Sequence, residues 1–164
     1  MAIRSLEELK ELLNTEGRKR ECLLGIDHSS KNIGLAVSDH RLVIASALDT
    51  IRSTKFTKDI EHLKRVMDDY NVGGIVLGLP VNMDGTEGPR CQSVRHYAKN
   101  LMDQADFFGR EPEIAFWDER LSSYAVERML IDDVDMSRKK RAEVIDKMAA
   151  AHILQGALDQ LSAS

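Results

Sequence analysis

The sequence predicts an α/β fold built on a mixed five-stranded sheet flanked by helices. Short apolar runs at Cys22–Ile26, Ile33–Val37 and Leu42–Ile51 follow one another with only polar turns between them, as consecutive antiparallel strands do. Two later runs, Gly73–Leu79 and Ile114–Trp117, each follow a segment of helical spacing, the pattern of parallel strands reached by helical crossovers. A chain of 164 residues, 43% of them hydrophobic, is enough for one domain with a sizeable core.

Taken in order, Ser5 followed by Glu8 fits a capping box, and Leu6, Leu9, Leu12 and Leu13 then recur at helical spacing up to Gly17. After the three strands, Ile60, Leu63, Val66, Met67 and Tyr70 mark one face of a helix over Lys55–Tyr70. Gly73–Leu79 reads as a buried strand ending at Pro80. The loop Val81–Pro89 enters a helix over Arg90–Phe108, with Val94, Tyr97, Ala98, Leu101 and Met102 on one face. Ile114–Trp117 is the fifth strand, Tyr124–Ile131 a short helix and Ala142–Leu161 a longer closing one. The order β-β-β-α-β-α-β-α-α is that of ribonuclease-H-like domains. Residues 1–20 form an N-terminal helical extension to a domain over 21–164, and the extension is expected to pack on the outside or contact a partner.

Composition excludes several classes. No apolar run approaches the ~18 to 20 residues of a bilayer span, and the N-terminus lacks an apolar signal core, so a cytoplasmic protein without a membrane partner is expected. Cys22 and Cys91 belong to no CxxC or Cys/His cluster, which leaves a zinc site or disulfide framework without support. With 23 Lys and Arg against 27 Asp and Glu, the net charge of −4 does not by itself favour nucleic acid.

The chemistry rests on carboxylates. Asp27 ends an apolar strand run, where an unpaired carboxylate is costly. Asp118 and Glu119 end the fifth strand, and Asp146 sits on the closing helix, whose Ala149, Ala150, Ala151, Gly156 and Ala157 permit close approach to a sheet. Alternation along a strand sends neighbouring side chains opposite ways, so only one of Asp118 and Glu119 is expected to face the site, with Glu119 favoured. Carboxylates converging without His or Cys make an oxygen-only site suited to Mg²⁺ or Mn²⁺. Two such ions, with Asp27 as shared ligand, could clamp an in-line displacement at phosphate. The blander alternatives are a turn-capping Asp27 and a solvated Asp146.

Two further features bear on binding. Gly78–Arg90 is a glycine-containing loop entering a helix through Pro89, able to offer backbone N–H groups to a phosphate; Arg90 adds a guanidinium, and Asn82 and Thr86 add neutral polar groups. It lacks the Gly-Lys-Ser/Thr ending of a P-loop and otherwise reads as a turn-rich connection. Arg138-Lys139-Lys140-Arg141 is either a solvated turn or a phosphate-tracking patch, with Lys139 and Lys140 at its centre. Sparse aromatics give no base-stacking stripe.

Four blocks together carry a resemblance: Leu24-Gly25-Ile26-Asp27 with Asn32–Asp39, then Gly78–Arg90, then Asp118-Glu119-Arg120-Leu121-Ser122, then Asp146 with Ala149-Ala150 and Ile153-Leu154. Over about Cys22 to Leu158 the chain resembles the YqgF/RuvX family of Holliday junction resolvase-like proteins and pre-16S rRNA nucleases. The resemblance implies a ribonuclease-H-like fold, a divalent-metal nuclease site and cytoplasmic maturation of the 5′ end of 16S rRNA. Asp27, Glu119 and Asp146 match the family's acidic positions as catalytic residues and, with Asp118, candidate metal ligands; Lys31, Asn82, Thr86, Arg90, Arg120, Lys139 and Lys140 are the candidate nucleic-acid contacts. The chain departs from the family at Ser29, where a glycine is common, and at Ser123, where threonine is usual.

The expected partners are structured RNA (pre-16S rRNA), ribosomal precursor particles, or branched DNA, bound by a monomer or homodimer. The alternatives are a Holliday junction resolvase, a non-catalytic nucleic-acid-binding module, and an actin-like ATPase, for whose two-lobed cleft the chain is too short. Two divalent ions at the acidic positions would bring the working charge near zero, so net acidity ceases to exclude nucleic acid.

Overall fold

The computed structural model describes residues 3–29, 31–121 and 138–163; the side chains of 138–140 and 142 fall outside the description, as does the helix expected at Tyr124–Ile131. The elements are α1 (Leu6–Leu13), β1 (Cys22–His28), β2 (Asn32–Ser38), β3 (Ala45–Arg52), α2 (Phe56–Asp69), β4 (Val72–Leu79), α3 (Pro89–Met102), α4 (Ala105–Phe108), β5 (Ile114–Asp118), a single 3₁₀ turn (Glu119–Leu121) and the closing helix α5 (Arg138–Ala163). The strands form one five-stranded sheet in the order β3-β2-β1-β4-β5. β1–β2 and β2–β3 are antiparallel, β1–β4 and β4–β5 parallel, as the run of three strands and then two crossovers requires.

Strand alternation splits the core into two layers. Leu24 and Ile26 of β1, Ile33 and Leu35 of β2 and Ile75 and Leu77 of β4 pack with Ile60 and Leu63 of α2 and Val94, Tyr97 and Leu101 of α3. Leu23, Ala36, Val76, Ala115 and Trp117 face the other way, onto Ala150, Ile153, Leu154, Ala157 and Leu158 of α5. β4 is buried along its whole length, which is why it carries no polar side chain.

Two expectations change and one becomes specific. The N-terminal helix packs on the domain with Glu7, Glu8, Lys10 and Glu11 exposed and with Leu6, Leu9 and Leu13 buried in the α5-side layer beside Leu158 and Leu161. Its amphipathic face is consumed by this chain's own core, and Ile3 forms a parallel bridge to Ile114 at the free edge of β5. β3 starts at Ala45, not Leu42. The Asp39 carboxylate accepts the N–H groups of Val43 (2.8 Å) and Ile44 (3.0 Å), holding Leu42–Ile44 in a turn in which Leu42 has φ 60°. Finally, the helix from Pro89 stops at Met102; the Gln104 N–H reaches back to the Leu101 carbonyl at 3.1 Å, and α4 then carries Phe108 into the core.

Candidate active site

Alternation along β1 places Asp27 on the α5 side of the sheet, with Leu23 and Gly25. Across the β1–β2 ladder Asp27 pairs with Gly34. In the parallel β1–β4 register Ile26 aligns with Leu77, so the next β4 residue beside Asp27 is Gly78. Asp27 therefore stands between two strand residues that have no side chains.

Gly34 is required by the backbone above it, whereas Gly78 lies under the movable side-chain ends of Ile153 and Glu119. A Cβ at Gly34 would overlap the backbone carbonyl of Asp146, so α5 rests directly on β2 at that point. A Cβ at Gly78 would stand 2.6 Å from Glu119 Oε1, so the Glu119 carboxylate lies over β4. Neighbouring strands are about 4.8 Å apart, which brings Asp27, the α5 turn bearing Asp146 and the Glu119 carboxylate together over three adjacent strands. The same close seating continues down the helix, where Ala150 and Leu154 rest on Gly25, and Gly156 accepts the Trp117 indole.

Asp118 has different surroundings from its neighbour. Its carboxylate accepts from Arg120 Nε (3.1 and 3.0 Å), Arg120 Nη2 (2.6 Å) and the Arg120 backbone N–H (2.9 Å). The side-chain bond from Arg120 holds the Asp118 carboxyl below the usual carboxylate range. Arg120 Nη1 also donates to the Met83 carbonyl at 3.3 Å, tying the 3₁₀ turn to the Gly78–Arg90 loop.

That loop is closed on itself. Asn82 N–H donates to the Thr86 carbonyl, Gly85 N–H to the Asn82 carbonyl, and Thr86 N–H and Oγ1 both to Asp84 Oδ1. Asn82 Nδ2 donates to Thr86 Oγ1 at 3.0 Å, so the two side chains expected to meet phosphate bond to each other. Arg90 is exposed in the first turn of α3, and Lys31 is exposed in the β1–β2 turn. Lys139 and Lys140 lie in the first turn of α5, their side chains outside the described residues. Ser29 closes the β1–β2 turn through its hydroxyl, which donates to the Asn32 carbonyl (2.8 Å) and accepts the Asn32 N–H (3.1 Å). Ser123 is outside the described residues. A cleft of about 560 Å³ opens between this loop and the 3₁₀ turn, lined by Asn82, Met83, Arg90, Glu119 and Arg120 among others.

Sequence reasoning missed two supports. Gly34 and Gly78 were legible as strand-interior glycines, a pattern that signals close approach, yet the element approaching them was not. His28, on the opposite face from Asp27, stacks on Tyr97 with ring centroids 4.2 Å apart and an interplanar angle of 23°. Burial lowers the pKa of His28, while the Asp59 charge acts the other way, so the strand end behind Asp27 is backed by a neutral ring at neutral pH.

Among the described residues no group of three or more His, Cys, Asp or Glu side chains is arranged to hold a metal ion. Asp27 and Glu119 offer oxygen donors only, the chemistry of Mg²⁺ or Mn²⁺, ions held by one or two carboxylates with water and substrate phosphate rather than by an all-protein cage.

Fold and site together define an α/β domain of the ribonuclease-H-like class, with Asp27 near the end of β1 and Asp118 and Glu119 at the end of β5. Its structure is similar to that of T. thermophilus RuvC in complex with a Holliday junction substrate, with a TM-score of 0.51 at 11% identity, covering 86% of this chain and 96% of that one. A family model described as "RuvX: Holliday junction resolvase" matches residues 21–160, and the chain belongs to this family. A relative from Rhodospirillum centenum named "Putative pre-16S rRNA nuclease" is 62% identical over 161 residues, 98% of this chain and 83% of its own length. Another of the same name, from Paramagnetospirillum magneticum, is 59% identical over 152 residues, 93% of this chain and 94% of its own. The chain is a nuclease of this family. None of the described helices is long and apolar enough to cross a membrane.

Proposed function

We propose that the chain is a divalent-metal-dependent endonuclease that hydrolyses phosphodiester bonds in maturing the 5′ end of 16S rRNA in the cytoplasm. What carries this reading is one arrangement: Asp27 set between Gly34 and Gly78, with the Asp146 backbone over one glycine and the Glu119 carboxylate over the other. The names of the relatives support the RNA substrate.

In this reading Asp27 is the shared ligand and Glu119 and Asp146 the outer ones. Bound Mg²⁺ or Mn²⁺ would supply charge stabilisation at the scissile phosphate and favour deprotonation of the attacking water. The chain's own part is positional. The sheet fixes Asp27, the seat of α5 on Gly34 fixes Asp146, and the 3₁₀ turn held by the Asp118–Arg120 pair fixes Glu119. Arg90, at the mouth of the cleft, and Lys31, in the β1–β2 turn, hold phosphates flanking the cut.

The test is Asp27→Asn on an RNA spanning the 5′ end of 16S rRNA, in Mg²⁺ and in Mn²⁺. Cleavage is expected to fall by at least about 100-fold with RNA binding retained; an unchanged rate overturns the reading. A second reading, cleavage of branched DNA, rests on the description attached to the family model. Symmetric cutting of a four-way junction requires a two-fold dimer, so sedimentation showing a monomeric active species decides against it.

A further inference from the structure

Four of the side chains lining the cleft are apolar, Pro80, Val81, Met83 and Pro89, and phosphate chemistry does not explain the exposure of Met83. Met83 is 85% exposed, more than Leu121 (64%) or Ile44 (61%), and is the most exposed large apolar residue among those described. It sits at the tip of the self-bonded Gly78–Arg90 loop, and its own carbonyl is gripped by Arg120 Nη1, so the chain orders this apolar tip rather than letting it fold inward. The tip lines the same cleft as Glu119 and Arg90.

Asp84 follows Met83 directly, and hydrogen bonds from the Thr86 hydroxyl and N–H hold its carboxyl below the usual range, so it remains an anion at the tip. The Arg120 guanidinium beside it offsets part of that charge, and the unbranched, polarizable thioether of Met83 itself suits the uncharged face of a base. No aromatic side chain lines this cleft, and of its apolar ones, Pro80, Val81, Met83 and Pro89, Met83 is the long, unbranched one that can reach a base released from its stack.

We propose that Met83 is a base-contacting wedge. Resting on the nuclease reading above, its side chain packs against a nucleobase beside the scissile phosphate, and the substrate class this selects is nucleic acid with an unpaired or easily opened step there, such as a boundary between duplex and single strand. The cost of unstacking is lowest at such a step, so the wedge confers preference for it.

The test uses an RNA hairpin with 2-aminopurine at the step beside the cut, bound by full-length chain carrying Asp27→Asn so that the RNA stays intact. Fluorescence should rise on binding for this chain and for its combination with Met83→Leu, and stay flat with Met83→Ala, although all three bind the RNA. In the otherwise unaltered chain, Met83→Ala should slow cleavage by up to about tenfold at a paired step, the upper range of a thioether contact on an aromatic ring, and recover when that step is mismatched. An equal fluorescence rise with Met83→Ala, or a loss the mismatch does not restore, overturns the wedge while leaving the nuclease intact. If the unaltered chain neither binds nor cuts the RNA, the nuclease reading falls, and the wedge with it.

Discussion

Where β1 begins, Glu21 is held between two guanidiniums, accepting from Arg18 Nε at 2.6 Å and Arg110 Nη1 at 3.0 Å; where β1 finishes, Asp27 is brought beside Glu119 and the α5 turn of Asp146. The same arginines extend the first network into the sheet, donating to the carbonyls of Gly73 and Val72. At the first end each carboxylate oxygen of Glu21 meets a guanidinium; at the other, Arg120 takes Asp118, and Asp27 and Glu119 are drawn over adjacent strands. The first arrangement stabilises a fold without metal; the second is what a divalent cation would reward. Position at a strand end therefore does not mark a carboxylate as a candidate metal ligand; the neighbours that the backbone brings to it do.

The largest effect should come from the glycine that forces that company. Gly34→Ala sets a Cβ against the Asp146 carbonyl, a backbone atom that cannot swing aside, so α5 must lift from β2. The expected loss is about 3 kcal/mol of unfolding free energy in denaturant titration, with cleavage falling alongside it. A variant as stable and active as the parent would show that the acidic end does not depend on this seat.

Next in size is a pair of substitutions that should divide stability from activity. Glu119→Gln should reduce cleavage by at least about 100-fold while moving the melting temperature little. Glu21→Gln should do the reverse, costing about 1 to 2 kcal/mol because its side chain is only 11% exposed between partly exposed arginines, and leaving the rate unchanged. Thermal melts and initial rates on the same preparations check both, and equal effects on both quantities would erase the distinction between the ends.

How much of this was legible in the sequence follows from range. Strands and crossovers were readable because alternation and helical spacing are local, and β4 announced its double burial by carrying no polar residue. The break after Met102 escaped because Val94 to Met102 and Phe108 fit one helical stripe while the turn at Gln104 is set by backbone bonding. α1 showed its apolar face but not its occupant, since Leu158 and Leu161 lie at the far end of the chain. At the site, parity along β5 allowed only one of Asp118 and Glu119 to face α5; the surroundings that separate them, Arg120 for one and Gly78 for the other, needed the fold. The loop was readable as a turn, whereas the inward pairing of Asn82 with Thr86 was not.

The smallest effect belongs to the β2–β3 turn, at the same end as Glu21. Burial acts to raise the Asp39 pKa, but the N–H groups of Ile44 and Val43 outweigh it and the carboxyl lies below its ordinary range. A depressed folded pKa contributes stability above the unfolded value and loses it as pH falls through the folded one. Asp39→Asn should therefore cost about 1 kcal/mol at neutral pH after allowance for solvent screening, and the gap should close as pH falls below the ordinary aspartate range. The pH profile of cleavage should be the same in both chains, because the turn and the carboxylates lie at opposite ends of β2. A shifted profile would mean that the two ends are coupled through β2, and the separation on which the comparison stands would fail.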